Sequence, residues 1–198
     1  MAITLPTSPR PSKMVPRPIF TRNETRPATG AGPVGRNLRP GTRWAWDFEY
    51  PPMTYEQSLA FDDLLTEDET VIVDILQPGL VIGTPGSGAT VNGAGQSGRT
   101  LNIKGVAPGY VLRKGQWISV LSGGQWYAYK TSAAATADGA GNCAVPLRTL
   151  IRTPLANNAV VEIAAPKAEG WVTLAEDAHE IDAVDRLVWL SFTLEERD

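Results

Sequence analysis

The sequence is poor in the side chains that most catalytic and metal chemistry needs. It has one cysteine, Cys143, and one histidine, His179, in 198 residues. A single thiol excludes an intramolecular disulfide or a multi-thiolate metal centre within one chain, and a single imidazole excludes histidine-rich metal sites. Cys143 falls in a predicted strand and reads as a small core residue. His179 sits among Glu176, Asp177 and Glu180 and reads as part of a solvated connector. No apolar run approaches the roughly 20 residues of a membrane helix, so no membrane insertion is expected. Met1 to Pro6 lacks the basic start and apolar stretch of a secretory signal, so a soluble protein made in a cytoplasm is expected. No lysine-bearing phosphate loop or G-x-S-x-G elbow occurs. Gly93-Ala94-Gly95-Gln96-Ser97-Gly98 has G-x-G-x-x-G spacing, but strand-forming Arg99–Ile103 follows where a dinucleotide site needs a helix. The acids Asp62-Asp63 and Glu67-Asp68-Glu69 flank a predicted helix and read as wetting it, not as a glycosidase pair. An enzyme and a cofactor are therefore not expected.

What the chain has is Gly, Pro, Trp and Tyr, and segregated charge. With 19 Gly, 16 Pro, 6 Trp and 5 Tyr, short strands joined by turns are favoured over helices. The net charge of −3 is too small to name a partner. Its distribution says more. Arg10, Lys13, Arg17, Arg22, Arg26 and Arg36 stand in the first 43 residues with Glu24 as the only acid, whereas Thr54–Leu76 holds Asp62, Asp63, Glu67 and Asp68 among further acids and no base. These residues are candidate contacts between neighbouring copies.

Read in order, residues 1–16 are a proline-broken segment, either a tail or an extended arm that orders on a neighbour, and a first strand starts near Arg17. On that reading, residues 1–26 are dispensable for folding. Trp44, Trp46, Phe48 and Tyr50 alternate with polar residues and predict a strand with one apolar face. Pro51-Pro52 ends it, and Thr54 with Gln57 forms a capping box for a helix over about 55–66, whose apolar side is Leu59, Ala60, Phe61, Leu64 and Leu65. Val71–Leu76 is a strand, and Leu187–Leu194 is a closing strand with a mixed pattern that predicts burial on both faces. Between them, 79–166 reads as an inserted β module. In it, Leu101 and Ile103 alternate, Ser122-Gly123-Gly124 closes a hairpin of Gln116–Leu121 on Gln125–Lys130, and Val160–Ile163 completes the set. The belt would then be 17–78 with 167–198, a discontinuous unit. Trp117, Trp126, Tyr127 and Tyr129 in the hairpin are either core or an exposed glycan-stacking platform.

Three quoted stretches carry a resemblance. Leu112–Val120 (LRKGQWISV), Asp138–Gly141 (DGAG) and Pro146–Arg152 (PLRTLIR) resemble a strand, a turn and a segment of virion proteins of tailed bacteriophages. RWAWDFEYPPMTYEQSLAFDDLL before them and LVWLSFTLEE after them are similar to a tail-tube-like β-sandwich belt. In plan the chain is most similar to the distal tail protein family of long-tailed phages. That resemblance implies a mainly β fold with one helix, an inserted small β-barrel or sandwich, and a ring of copies, usually six. The ring would join the tail tube protein to the hub and tip proteins, with genome DNA passing through the lumen without specific binding. It also implies a place in the virion tail after assembly in a bacterial cytoplasm. Tube and terminator proteins share the belt, and a carbohydrate-binding module for host attachment is the rival from another class.

Overall fold

The computed structural model describes residues 2–25, 35–38, 41–65, 69–86, 88–174 and 178–197, with backbone alone at 22–25, 35–38, 63, 65 and 179. The fold is mainly β, with several sheets, one short α-helix and no closed barrel among the described residues.

The largest sheet is built around the predicted aromatic strand, Arg43–Glu49. Trp44, Trp46, Phe48 and the following Tyr50 are all buried, as one face of a period-two strand should be. This strand pairs antiparallel with Leu187–Glu196 on one side and Lys13–Ile19 on the other. Leu187–Glu196 pairs onward with Lys167–Thr173, which pairs with Val71–Asp74. Ile3–Thr4 joins the far edge in parallel with Val71–Ile72. The ends of the chain thus share one sheet with its first third, and the segments at Val71 and Leu187 are one strand apart.

Four local expectations change. Residues 1–16, read as an arm, supply Ile3–Thr4 and the start of Lys13–Ile19, and Leu5 is buried in the core. Removing residues 1–26 would take both strands and Leu5 from the sheet, so a folded truncation is no longer expected. Pro16 and Pro18 are compatible with this strand because it is an edge and they lie two apart. Both can take positions whose missing N–H would face away from the neighbour. The helix is also shorter. The Thr54–Gln57 capping box forms, but only Tyr55–Ser58 is α-helical, and Leu59–Leu65 is a 3₁₀-helix. Ser58, Phe61 and Leu64 are buried while Leu59 and Ala60 are exposed, a spacing of three that matches three residues per turn. Finally, Leu187–Glu196 is not buried on both faces. Val188, Leu190, Phe192, Leu194 and Glu196 alternate strictly with half-buried neighbours.

Two hydrophobic cores result. One gathers Trp44, Trp46, Phe48, Tyr50, Phe61, Val73 and Phe192; the other gathers Val91, Leu101, Ile103, Leu112, Val145 and Leu155. The hairpin of Trp117–Ser122 on Gln125–Lys130 is the wall between them. Its alternation sends Trp117 and Ala128 into the first core and Ile118, Val120, Tyr127 and Tyr129 into the second. Gly123 and Gly124 close it with φ of 61° and 80°, the left-handed pair that a two-residue hairpin loop requires.

Gly170 tests how closely the sheet is packed. A methyl group there would collide with the Glu195 carbonyl oxygen on the paired strand. Gly170→Ala is expected to lower stability by about 1–3 kcal/mol, the usual range for overpacking. The measurement is urea unfolding, with the midpoint falling and the slope unchanged.

Candidate functional site

Glu169 and Glu196 lie on adjacent strands of the large sheet, Glu196 with the parity of core-facing Leu194 and Glu169 one position out of register with it. Both side chains are fully buried. They meet the outer edge of Gln125–Lys130, where every second N–H points away from the hairpin partner. Trp126 N–H donates to Glu169 Oε2 at 3.0 Å, and Ala128 N–H donates to Glu196 Oε1 at 2.8 Å. Glu196 Oε2 accepts the Trp44 N–H at 2.8 Å, and Arg152 Nη2 lies 2.7 Å from Oε1. Burial pushes the Glu196 carboxyl up from its ordinary range; Arg152 and the two backbone N–H groups oppose that shift. Glu169 also accepts the Thr70 hydroxyl at 3.2 Å and faces Arg197 at 3.4 Å. On the same seam, Gln77 Oε1 accepts the Trp117 N–H at 2.8 Å, and Ser119 Oγ accepts the Lys167 N–H at 2.9 Å. Trp117 lies edge-on to Trp44 at 4.7 Å. The bonds from the Trp126 and Ala128 N–H groups and from Lys167 N–H to Ser119 fix the hairpin to the sheet.

Beside the seam is a cavity of about 610 Å³, bounded by Leu5, Arg10, Tyr50, Asp74 and Gln77 among others. The Tyr50 phenol is pushed up to about 12, by burial first and by the charge of Asp74 second. The described residues contain no group of three or more His, Cys, Asp or Glu able to hold a metal ion.

The expected subunit contacts do not gather in one place. Lys13 Nζ lies 2.6 Å from Glu49 and Arg17 Nε 3.3 Å from Asp47, both as cross-strand pairs within the chain. Arg10 is exposed on the cavity rim, and Asp62 is exposed on the 3₁₀-helix. Arg26, Glu67 and Asp68 lie outside the described residues; for Arg22, Arg36 and Asp63 only the backbone is described. The aromatic platform is not present as such. Trp117, Tyr127 and Tyr129 are buried, because the hairpin faces a core on each side. Trp126 is half-buried, with Lys167 Nζ 5.4 Å from its ring centroid. Cys143 is buried at 4% exposure, as a core residue.

A basic cluster was missed. The module carries Arg99, Arg113, Lys114, Lys130 and Arg148 at one end, while its only acids, Asp138 and Glu162, lie elsewhere. Arg148 N–H donates to the Lys130 carbonyl, Thr131 Oγ1 to the Arg113 carbonyl, and Leu147 N–H to the Arg99 carbonyl. Burial first, and then the charge of Arg148, hold the Lys130 amine below its ordinary pKa. The signal was present in the sequence as six bases against the single acid Asp138 over 99–148, but it was spread across three turns.

No protein-family model matches the chain, and no curated protein is significantly similar to it. No helix among the described residues is long and apolar enough to cross a membrane.

Two outcomes follow from this geometry. Glu196→Leu is expected to cost about 3–5 kcal/mol, since it strands a buried arginine. Adding Arg152→Met should recover only part of that loss in chemical denaturation, because the Ala128 and Trp44 N–H groups still lack their acceptor. The second concerns pH. Tyr50 keeps its proton longer when folded than when unfolded, so its contribution is intact below pH 10 and is lost as pH rises from 10 towards 12. Thermal melts across that window should fall more steeply for the wild type than for Tyr50→Phe.

Proposed function

We propose that the chain is a structural subunit of a tailed-bacteriophage virion, assembled as a ring at the distal end of the tail tube between the tube and the tip or hub. The reading rests on the resemblance of Leu112–Val120, Asp138–Gly141 and Pro146–Arg152 to virion-protein segments. The observation that carries it is how these segments lie on the fold. Leu112–Val120 runs into the wall hairpin. Asp138 accepts the Ala140 and Asn142 N–H groups to form a tight turn, and Arg152 ends its segment on Glu196. Together they make one module bolted to a sheet that both chain ends complete. Such a unit holds its module at a fixed angle, which a repeated heterologous contact needs in order to close into a ring. Its role is assembly and not catalysis, with tail tube and hub proteins as partners and the virion tail as its place.

The test is solution mass across concentration, with negative-stain images of the same sample, alone and with the tail tube protein. Closed rings, of about six copies by the resemblance, are expected. A strict monomer in every condition that is retained by host-surface polysaccharide would replace this reading with that of a carbohydrate-binding module.

A further inference from the structure

The surfaces beyond the two ends of the aromatic strand carry charge of mainly opposite sign, and each carries exposed apolar side chains. At the start of the aromatic strand, Trp44 packs on Trp117, whose cross-strand partner is Lys130. Around Lys130 stand Arg113, Lys114 and Arg148, all exposed, with Val111 exposed on the adjoining strand. Among the described residues none of these four cations has an ion-pair partner. At the other end of the same strand, Tyr50 packs on Phe61 of the 3₁₀-helix. There Thr54, Leu187 and Asp182 lie in one row across three strands. The helical segment that follows Thr54 exposes Glu56 and Asp62, and the hairpin through Asp182 exposes Glu180 and Asp185 with one base, Arg186, so the surface is acidic on balance. Tyr55, Leu59, Ile181 and Val184 are more than half exposed beside them.

We propose that these ends are the two halves of one heterologous interface, and that the occupant of the basic end is the acidic end of a second copy of this chain. The proposal rests on the ring reading above and names the surface that would build the ring. Two observations favour a second copy over a nucleic acid. The complementary surface exists on the same chain. Both surfaces mix charge with exposed apolar side chains, which suits a protein contact. Because the halves are two separate surfaces of one chain, each copy offers one of each, and the contact propagates head to tail until it closes. The charges steer and register the contact, and the apolar side chains supply the burial.

The experiment uses the full chain and two double variants, Lys114→Glu/Arg148→Glu and Glu56→Lys/Asp62→Lys. All four positions are exposed, so both variants should keep the wild-type melting temperature, which is checked first. Each variant alone is expected to assemble at least tenfold more weakly than wild type by analytical ultracentrifugation, and wild-type assembly should weaken with added salt. An equimolar mixture of the two is expected to restore assembly, since each then meets opposite charge at both ends. Wild-type rings with variants that assemble normally, or a mixture with no rescue, would overturn this interface and leave the ring reading intact. A wild type that stays monomeric throughout would overturn both. Tight binding of a duplex DNA fragment that Lys114→Glu/Arg148→Glu abolishes, with self-assembly unchanged, would assign the basic end to a polyanion instead.

Discussion

The structure depends on how one strand edge is closed. Gln125–Lys130 is the outer strand of a three-stranded sheet, and such an edge presents unpaired N–H groups that invite a foreign strand. Here the Trp126 and Ala128 N–H groups are held by the carboxylates of Glu169 and Glu196. Leaving either donor buried and unmatched would cost about 1–3 kcal/mol. Burying two carboxylates is costly as well, and for Glu196 that cost is offset by Arg152 and the Trp44 N–H. One side chain therefore joins the aromatic strand, the closing strand, the hairpin and the end of the PLRTLIR segment.

That closure explains why two cores behave as one body. A hairpin between two hydrophobic clusters must be apolar on both faces, and Trp117 with Ala128 on one face and Val120 with Tyr129 on the other meet that need. Polar groups at this wall have no water to turn to, so Gln77, Ser119, Glu169 and Glu196 satisfy its backbone and that of the adjoining chain. The module cannot swing on the sheet without breaking several of these links together.

Strand identity was legible wherever a strong period-two pattern existed, as at Trp44–Tyr50 and in the hairpin, and so was the Thr54–Gln57 cap. Four things were not. The Lys13–Ile19 strand was hidden by its prolines, which only an edge position makes acceptable. The 3₁₀ continuation was hidden because a spacing of three over LAFDDLL also fits an α-helical stripe. Glu169 and Glu196 carried no signal, since nothing in a sequence says that a charged residue will face an unpaired strand edge. The aromatic group of the hairpin could not be resolved either. Parity within the strands sorts Trp117 and Tyr127 to opposite cores, but parity alone does not say that both faces are covered.

The same geometry decides where charge is left for other molecules. On the outer face of the large sheet, Lys13 with Glu49, Arg17 with Asp47 and Arg43 with Glu195 form cross-strand pairs. Exposed pairs of this kind each contribute about 0–1 kcal/mol, so their main consequence is electrical and not energetic: the face is neutralised row by row. Two of the N-terminal bases that the sequence offers as contacts for neighbours, Lys13 and Arg17, are thereby matched within the chain. Among the described residues, Arg113, Lys114, Lys130 and Arg148 beyond Trp44 and Glu56, Asp62, Glu180 and Asp185 beyond Tyr50 are left without such pairs. A chain with almost no net charge acquires a direction in this way, and direction is the property that a head-to-tail contact requires.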